Sequence, residues 1–256
     1  MELRGKCALV TGGAHRVGKA ITLGLARAGA RVAINYHSSQ SAAEETAAEV
    51  RALGGEALPV AADVADPAQV EAMVAAITQQ WGGVDVLVNG ASLFAKTPVP
   101  TRDLTTWQRV TRILIDGAFY CANAVAPYML ERGEGVIINI VDLSAWEAWP
   151  GYTAHSVGKT ALLALTRQLA LELAPAVRVN AVAPGPVLPP PDYDEERKVR
   201  VARRTLLNRW GTPEDVANAV LFLIQADYIT GDLGDDLILS ADVLLRSEER
   251  RVGKEC

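Results

Sequence analysis

The chain has 256 residues, 50% of them apolar and 21% charged, with a formal net charge of −5. That length buries one large core and fits a single domain, and its acidic balance with scattered Lys and Arg offers no basic field for nucleic acid or an anionic membrane. No apolar run reaches the roughly 18–20 residues that span a bilayer, and Met1 to Lys6 lead into a strand pattern without a signal-peptide core, so a cytoplasmic protein is the expectation.

In chain order, short apolar, β-branched runs at 7–10, 31–35, 57–60, 84–88, 136–141 and 177–182 alternate with longer helical patterns. Strands apolar on both faces, each followed by a helix, predict an α/β fold: a doubly wound parallel sheet (Rossmann fold) in a single domain over residues 1–245. The Pro-rich stretch 184–191 follows the sixth strand and precedes a charged helical pattern over 193–207. It reads as a substrate-side loop or lid, the alternative being a surface excursion. Leu237 to Leu239 can make a short last strand. Residues 246–256 resemble the in-frame translation of sequencing-adapter DNA and are set aside as a non-native tail, the alternative being an ordinary charged tail. Cys7, Cys121 and Cys256 form neither a disulfide framework nor a metal spacing, and His15, His37 and His155 are too dispersed to hold a metal.

Between the first strand and first helix stands Thr11-Gly12-Gly13-Ala14-His15-Arg16-Val17-Gly18. A glycine-rich turn there aims backbone N–H groups and a positive helix end at a pyrophosphate, so Gly12, His15, Arg16, Val17 and Gly18 are candidate cofactor contacts. The second strand ends in Asn35-Tyr36-His37-Ser38-Ser39, with no carboxylate for the ribose hydroxyls of NAD. With Arg16 and two serines nearby, a 2′-phosphate fits and NADP is favoured over NAD, although Arg16 could instead form a surface ion pair. Asp63 after the third strand would hold the adenine, Asn89, Gly90 and Ala91 would lie along the cofactor, and Val64, Pro184 and Gly185 are further candidate cofactor contacts.

Asp142 follows the fifth apolar run, and His155 and Lys159 lie one helical turn apart on one face. The three look like a proton-transfer site, because a catalytic acid needs a titratable group beside a charge that tunes it.

Together the Thr11-Gly12 turn with Gly18, Asp63, Asn89-Gly90-Ala91, Lys159, the run Arg178 to Gly185 and Gly211 to Ala217 resemble the short-chain dehydrogenase/reductase family from Gly5 to about Gly231. Within it the chain is similar to the pteridine reductases, which share Arg16 in place of a turn glycine, Tyr36-His37 and Val141-Asp142. The resemblance implies a bound nicotinamide cofactor, a hydride passed to a carbonyl or pteridine-like C=N substrate, and a Lys that lowers a phenol's pKa from about 10 towards 7 and holds the ribose. It implies a substrate side made of Phe94, Tyr152 and Val187, with Phe94 either a lid over an aromatic substrate or a core residue. It further implies a homo-oligomer, dimer or tetramer, packed through helices near 104–130 and 152–173, where Ala118, Ala122, Ala126, Ala161, Ala164 and Ala170 either permit close helix contact or face the sheet.

Two positions depart from the family. His155 stands where the proton-donating Tyr belongs, and Leu114 where a proton-relay Asn belongs. Imidazole titrates near about 6.5 and Asp142 could stabilise its cation, while Tyr152 one turn back is an alternative phenol. The chain is therefore read as an NADPH-dependent oxidoreductase with an altered proton donor or, alternatively, as a catalytically impaired NADP-binding sensor or scaffold.

Overall fold

A computed structural model describes residues 1–190 and 193–231, together with the backbone of 238–239. Six strands match the apolar runs to within two residues: β1 (Cys7–Thr11), β2 (Arg31–Tyr36), β3 (Ala57–Ala61), β4 (Val86–Asn89), β5 (Gly135–Ile140) and β6 (Val177–Pro184). A two-residue β7 (Ile238–Leu239) pairs with the end of β6, whereas Leu237 and the 246–256 tail lie outside the described residues. The pairs are all parallel, in the order β3-β2-β1-β4-β5-β6-β7. The order reverses direction between β1 and β4, which opens a crevice at the strands' carboxyl ends. Pro59 is tolerated because β3 is an edge strand and needs no full ladder.

The helices are α1 (Arg16–Arg27), α2 (Gln40–Ala52), α3 (Pro67–Trp81), α4 (Leu104–Thr111), α5 (Ala118–Arg132), α6 (Thr153–Leu173), α7 (Glu195–Ala202) and α8 (Pro213–Gln225). One buried cluster joins Val10, Ile34 and Val88 of the sheet to Leu25 of α1 and Val220 of α8. A second lies on the other sheet face, where Leu9, Leu87 and Ile137 meet Ile77 of α3 and Val125 of α5. Helices thus cover both sheet faces, as the two-faced apolar strands require.

Three features of the helices bear on the sequence expectations. Leu104–Arg132 forms one continuous 29-residue helical stretch that contains an 18-residue window of mean hydropathy 1.3, enough by length and composition alone to cross a membrane. It is a core helix, with Val110, Leu114, Cys121, Val125 and Met129 all buried. Ala118, Ala122, Ala126 and Ala170 are buried within the chain, so they pack on its own sheet and neighbours, and only Ala161 and Ala164 reach the surface. The helix expected over 193–207 is confined to α7, which Asp194 starts by accepting from the Arg197 N–H at 2.7 Å.

Between α4 and α5 the helix passes through a π-helical turn, Arg112–Gly117. Such a turn inserts one extra residue and rotates the faces on either side of it. Leu114 sits in it, 1% exposed, packed on Ala154 of α6, and a Cβ on Gly158 would come within 2.6 Å of its Cδ1.

Candidate active site

The turn between β1 and α1 has the shape expected of a phosphate cradle. Gly12 has φ +66, and a Cβ there would lie 3.0 Å from Ala91 Cα; one on Gly18 would lie 2.1 Å from the Gly12 carbonyl oxygen. Only glycine fits at Gly18. Arg16 itself has φ +50, a left-handed backbone conformation, and its Nη2 donates to the Leu188 carbonyl at 3.3 Å. His15 is the extended N-cap residue of α1, and Val17 packs on the first cluster. Thr11 ties the crevice together, its Oγ1 accepting from the Gly90 and Ala91 N–H groups at 3.0 and 3.1 Å.

Beside the turn lies a cleft of about 380 Å³ whose wall includes Gly12, Asn35, Asp63, Val64, Ala91 and Ile113, with His37, Ser38 and Arg109 also on it. A flat base and a ribose phosphate fit its apolar faces and polar rim. Asn35 is buried; its Oδ1 accepts from the Gly12 N–H and its Nδ2 donates to the Ala62 carbonyl, so it braces the turn against β3. Tyr36 is half-buried against the first cluster, and Ser39 is the N-cap residue of α2. The Asn89 side chain points into the core and donates to Asn139, which donates to Thr166. Pro184 ends β6 with Gly185 following it, and Val187 packs on the first cluster.

Asp63 is held on two sides. Its Oδ1 accepts from the Ala65 N–H at 3.0 Å and its Oδ2 from Arg109 Nη1 at 2.6 Å, with His37 Nε2 4.0 Å away. Burial works to raise the carboxyl's pKa, but the Arg109 bond, the Ala65 N–H and the Arg109 charge outweigh it and hold it below the ordinary 3.8.

The proton-transfer residues meet where β5 ends and α6 begins. Asp142 Oδ2 is 2.7 Å from His155 Nε2, and its Oδ1 accepts from the Ser144 N–H and hydroxyl. Burial pushes Asp142 up, yet the His155 hydrogen bond, the Lys159 and His155 charges and the Ser144 hydroxyl bring it net below 3.8. An ionised carboxylate only accepts, so His155 Nε2 carries a proton. The other nitrogen, Nδ1, is buried and without a partner among the described residues. Lys159 Nζ donates to the Ile140 carbonyl at 2.6 Å; burial lowers its pKa from 10.5, against the pull of Asp142.

An aromatic cluster covers the imidazole. Phe94 stacks on Tyr152 at 4.3 Å and meets His155 edge-on at 4.9 Å, while Trp149 lies parallel to His155 at 6.2 Å. Phe94 is 52% exposed, which places it on the surface side of this cluster and not in the core. Thr97 fastens the Phe94 segment to α6 through the Ala154 N–H and the Gly151 carbonyl. Burial pushes the Cys7 and Cys121 thiols up to about 12, so neither is a nucleophile.

Sequence reasoning passed over Arg109, Trp149 and Ser144. Arg109 carries no motif and meets Asp63 across 46 residues. Trp149 and Ser144 lie between Asp142 and His155, where proximity alone was the available signal.

The comparisons with known proteins agree with this geometry. Residues 12–233 match the family profile described as enoyl-(acyl carrier protein) reductase. The chain is 37% identical over 234 residues to the 3-oxoacyl-[acyl-carrier-protein] reductase of Synechocystis sp., covering 90% of this chain and 94% of that one. Among solved structures, the alternative dihydrofolate reductase FolM of Brucella canis, complexed with NADP, superposes with TM-score 0.84 at 33% identity over 90% of this chain and 91% of that one. A short-chain dehydrogenase/reductase variant from Serratia marcescens gives 0.84 at 33% over 90% and 96%. A doubly wound sheet, a glycine cradle at its switch point and relatives matched over nine-tenths of the length leave one assignment: the chain belongs to the short-chain dehydrogenase/reductase family of NAD(P)-dependent oxidoreductases acting on carbonyls.

Proposed function

We propose that this protein is an NADPH-dependent reductase of a carbonyl or pteridine-like C=N bond in which His155 replaces a phenol as proton donor. The observation that carries the reading is the buried Asp142–His155 pair, which commits Nε2 to the carboxylate and leaves Nδ1, itself buried, as the ring nitrogen without a partner among the described residues. The cradle of Gly12 and Gly18 fits a dinucleotide, and Arg16, His37, Ser38 and Ser39, with no carboxylate after β2, suit a 2′-phosphate. The NADP in the FolM relative supports the same choice. The shared Asp142, Phe94 and Tyr152 favour the pteridine-reductase side of the family.

A dihydronicotinamide, when bound, supplies the hydride. As the substrate carbon accepts it, the C=O or C=N π pair moves onto oxygen or nitrogen, which takes the proton from Nδ1–H of the His155 cation. Asp142 balances the charge of that cation and fixes the ring's orientation. Lys159, anchored on Ile140, holds Asp142 ionised and lends positive potential to the developing anion. Trp149 backs the imidazole, and Phe94 with Tyr152 offers flat faces to a planar substrate. The groove on α6 between Trp146, Val157, Ala161 and Ala164 is read as the face that packs on a second copy.

The test is substrate-dependent NADPH oxidation across carbonyl and pterin substrates. His155→Ala should lower turnover by roughly 10²–10⁴-fold with NADPH binding retained. Wild-type protein that binds NADPH but turns nothing over, together with activity created by His155→Tyr, would sink the reading in favour of an idle NADP-binding sensor or scaffold.

A further inference from the structure

Ser144 gives both of its donors to one oxygen of the carboxylate that faces His155. Its N–H, at 2.9 Å, and its hydroxyl both meet Asp142 Oδ1, while Asp142 Oδ2 lies 2.7 Å from His155 Nε2. We infer that Ser144 is a positioning residue, whose hydroxyl locks the plane of the Asp142 carboxylate so that neutral His155 carries its proton on Nε2 and leaves Nδ1 bare. That is the form the ring takes once Nδ1–H has been given to a substrate. The inference rests on the proton-donor reading above and deepens it, from the residue that moves the proton to the one that decides which ring nitrogen holds it.

The carboxylate needs such a lock. The last torsion of an Asp side chain has broad, roughly two-fold minima, so rotamer preference alone leaves the plane free to turn. Lys159 draws Asp142 by charge, but its own hydrogen bond goes to the Ile140 carbonyl, so it adds attraction without fixing the plane. The Ser144 N–H is capped by Asp142 at the start of the short Leu143–Ala145 turn and holds Oδ1 at one point. The hydroxyl adds a second point on the same oxygen, and because donors prefer to lie near the plane of an sp² oxygen, two of them define that plane where one acts as a pivot. The turn is itself fastened to α6, where Thr160 Oγ1 donates to the Ala145 carbonyl at 3.1 Å. Ser144 is 3% exposed, which keeps bulk water from replacing its hydroxyl. With the plane held, the ionised carboxylate accepts from Nε2–H and penalises the other tautomer, in which two bare acceptors would face each other.

A purely structural hydroxyl would predict something else: a lower melting temperature on its removal, with the ring's tautomer unchanged. The deciding experiment uses the full chain with isotope-labelled histidine, folding being read from circular dichroism. Nitrogen chemical shifts on the alkaline side of the imidazole titration separate the protonated ring nitrogen from the bare one, and the His155 signals are those missing from His155→Ala. Wild-type protein should show His155 as the Nε2–H tautomer. Ser144→Ala should reduce the preference for that tautomer on the order of tenfold, and Ser144→Thr, which keeps a hydroxyl, should restore it. Turnover should follow, with kcat lower on the order of tenfold in the alanine variant while KM and NADPH affinity hold. Ser144→Cys, a weaker donor of similar size, should fall between and keeps the test decisive if either of the others fails to fold. An unchanged tautomer in the folded alanine or cysteine variant overturns the inference while leaving the proton-donor reading intact. Wild-type protein that holds the Nε2–H tautomer but turns nothing over overturns the proton-donor reading alone. A wild-type ring that carries its proton on Nδ1 overturns both.

Discussion

At the scale of single residues, two side chains govern what the site can do. Asp142 accepts from three donors, and its value as an orienting group lies in being unable to donate. Asp142→Asn introduces an N–H that can face His155 and permits the opposite tautomer. We expect a turnover loss of about 100-fold or more with little change in NADPH affinity, measured by steady-state kinetics and direct titration. Arg16 is held at φ +50, a conformation costing a non-glycine residue roughly 1–2 kcal/mol. In Arg16→Gly that relief is offset by roughly 0.5–1 kcal/mol of added chain entropy, so the melting temperature should scarcely move. Affinity for NADPH should nevertheless drop about tenfold while NADH binding holds, and equal losses for both would exclude a phosphate role. The sequence exposed these residues through local spacing: His155 and Lys159 are one turn apart, and Asp142 ends an apolar run. Arg109 and Trp149 stayed hidden because their partners are chosen by tertiary packing, which no local pattern encodes.

At the scale of elements, strand positions were legible because fully buried parallel strands must be apolar on both faces, and the helix caps follow ordinary capping chemistry. Thr212 and Asp215 form the capping box of α8, with Pro213 at its first turn. The π turn at Arg112–Gly117 was not legible, since a shift from four-residue to five-residue hydrogen bonding leaves no mark on composition. Leu114 within it packs on Ala154 and lies against Gly158 of α6. The β1–α1 junction is the least tolerant element. Gly18→Ala would drive a methyl into the Gly12 carbonyl at 2.1 Å, so the turn must open. NADPH binding by titration should be lost even in variants whose far-ultraviolet circular dichroism stays native.

For the whole molecule, acid sensitivity follows from the two depressed carboxyls. Asp142 and Asp63 have folded pKa values below 3.8, so each adds stability that is complete above that value and is lost as pH falls through the folded ones. Lys159 acts at the other limb: its folded pKa lies below 10.5, so the fold bears a buried ammonium until pH rises through the folded value, and stability gains as it does. Melting temperatures between pH 2 and 5 should therefore show a shallower acid limb in Asp142→Asn than in wild type. A charge in the α6 groove, Ala164→Arg, should shift sedimentation towards the monomer if that face joins two copies. The Phe94–Tyr152 stack has a further effect on ligand entry. In the free protein these rings satisfy one another at 4.3 Å, so an arriving planar ligand competes with an internal occupant and gains little from ring contact alone. On the proposed function, its affinity must come from the area it removes from water and from the polar groups it meets, which would favour ligands that also engage His155 over small stacking molecules.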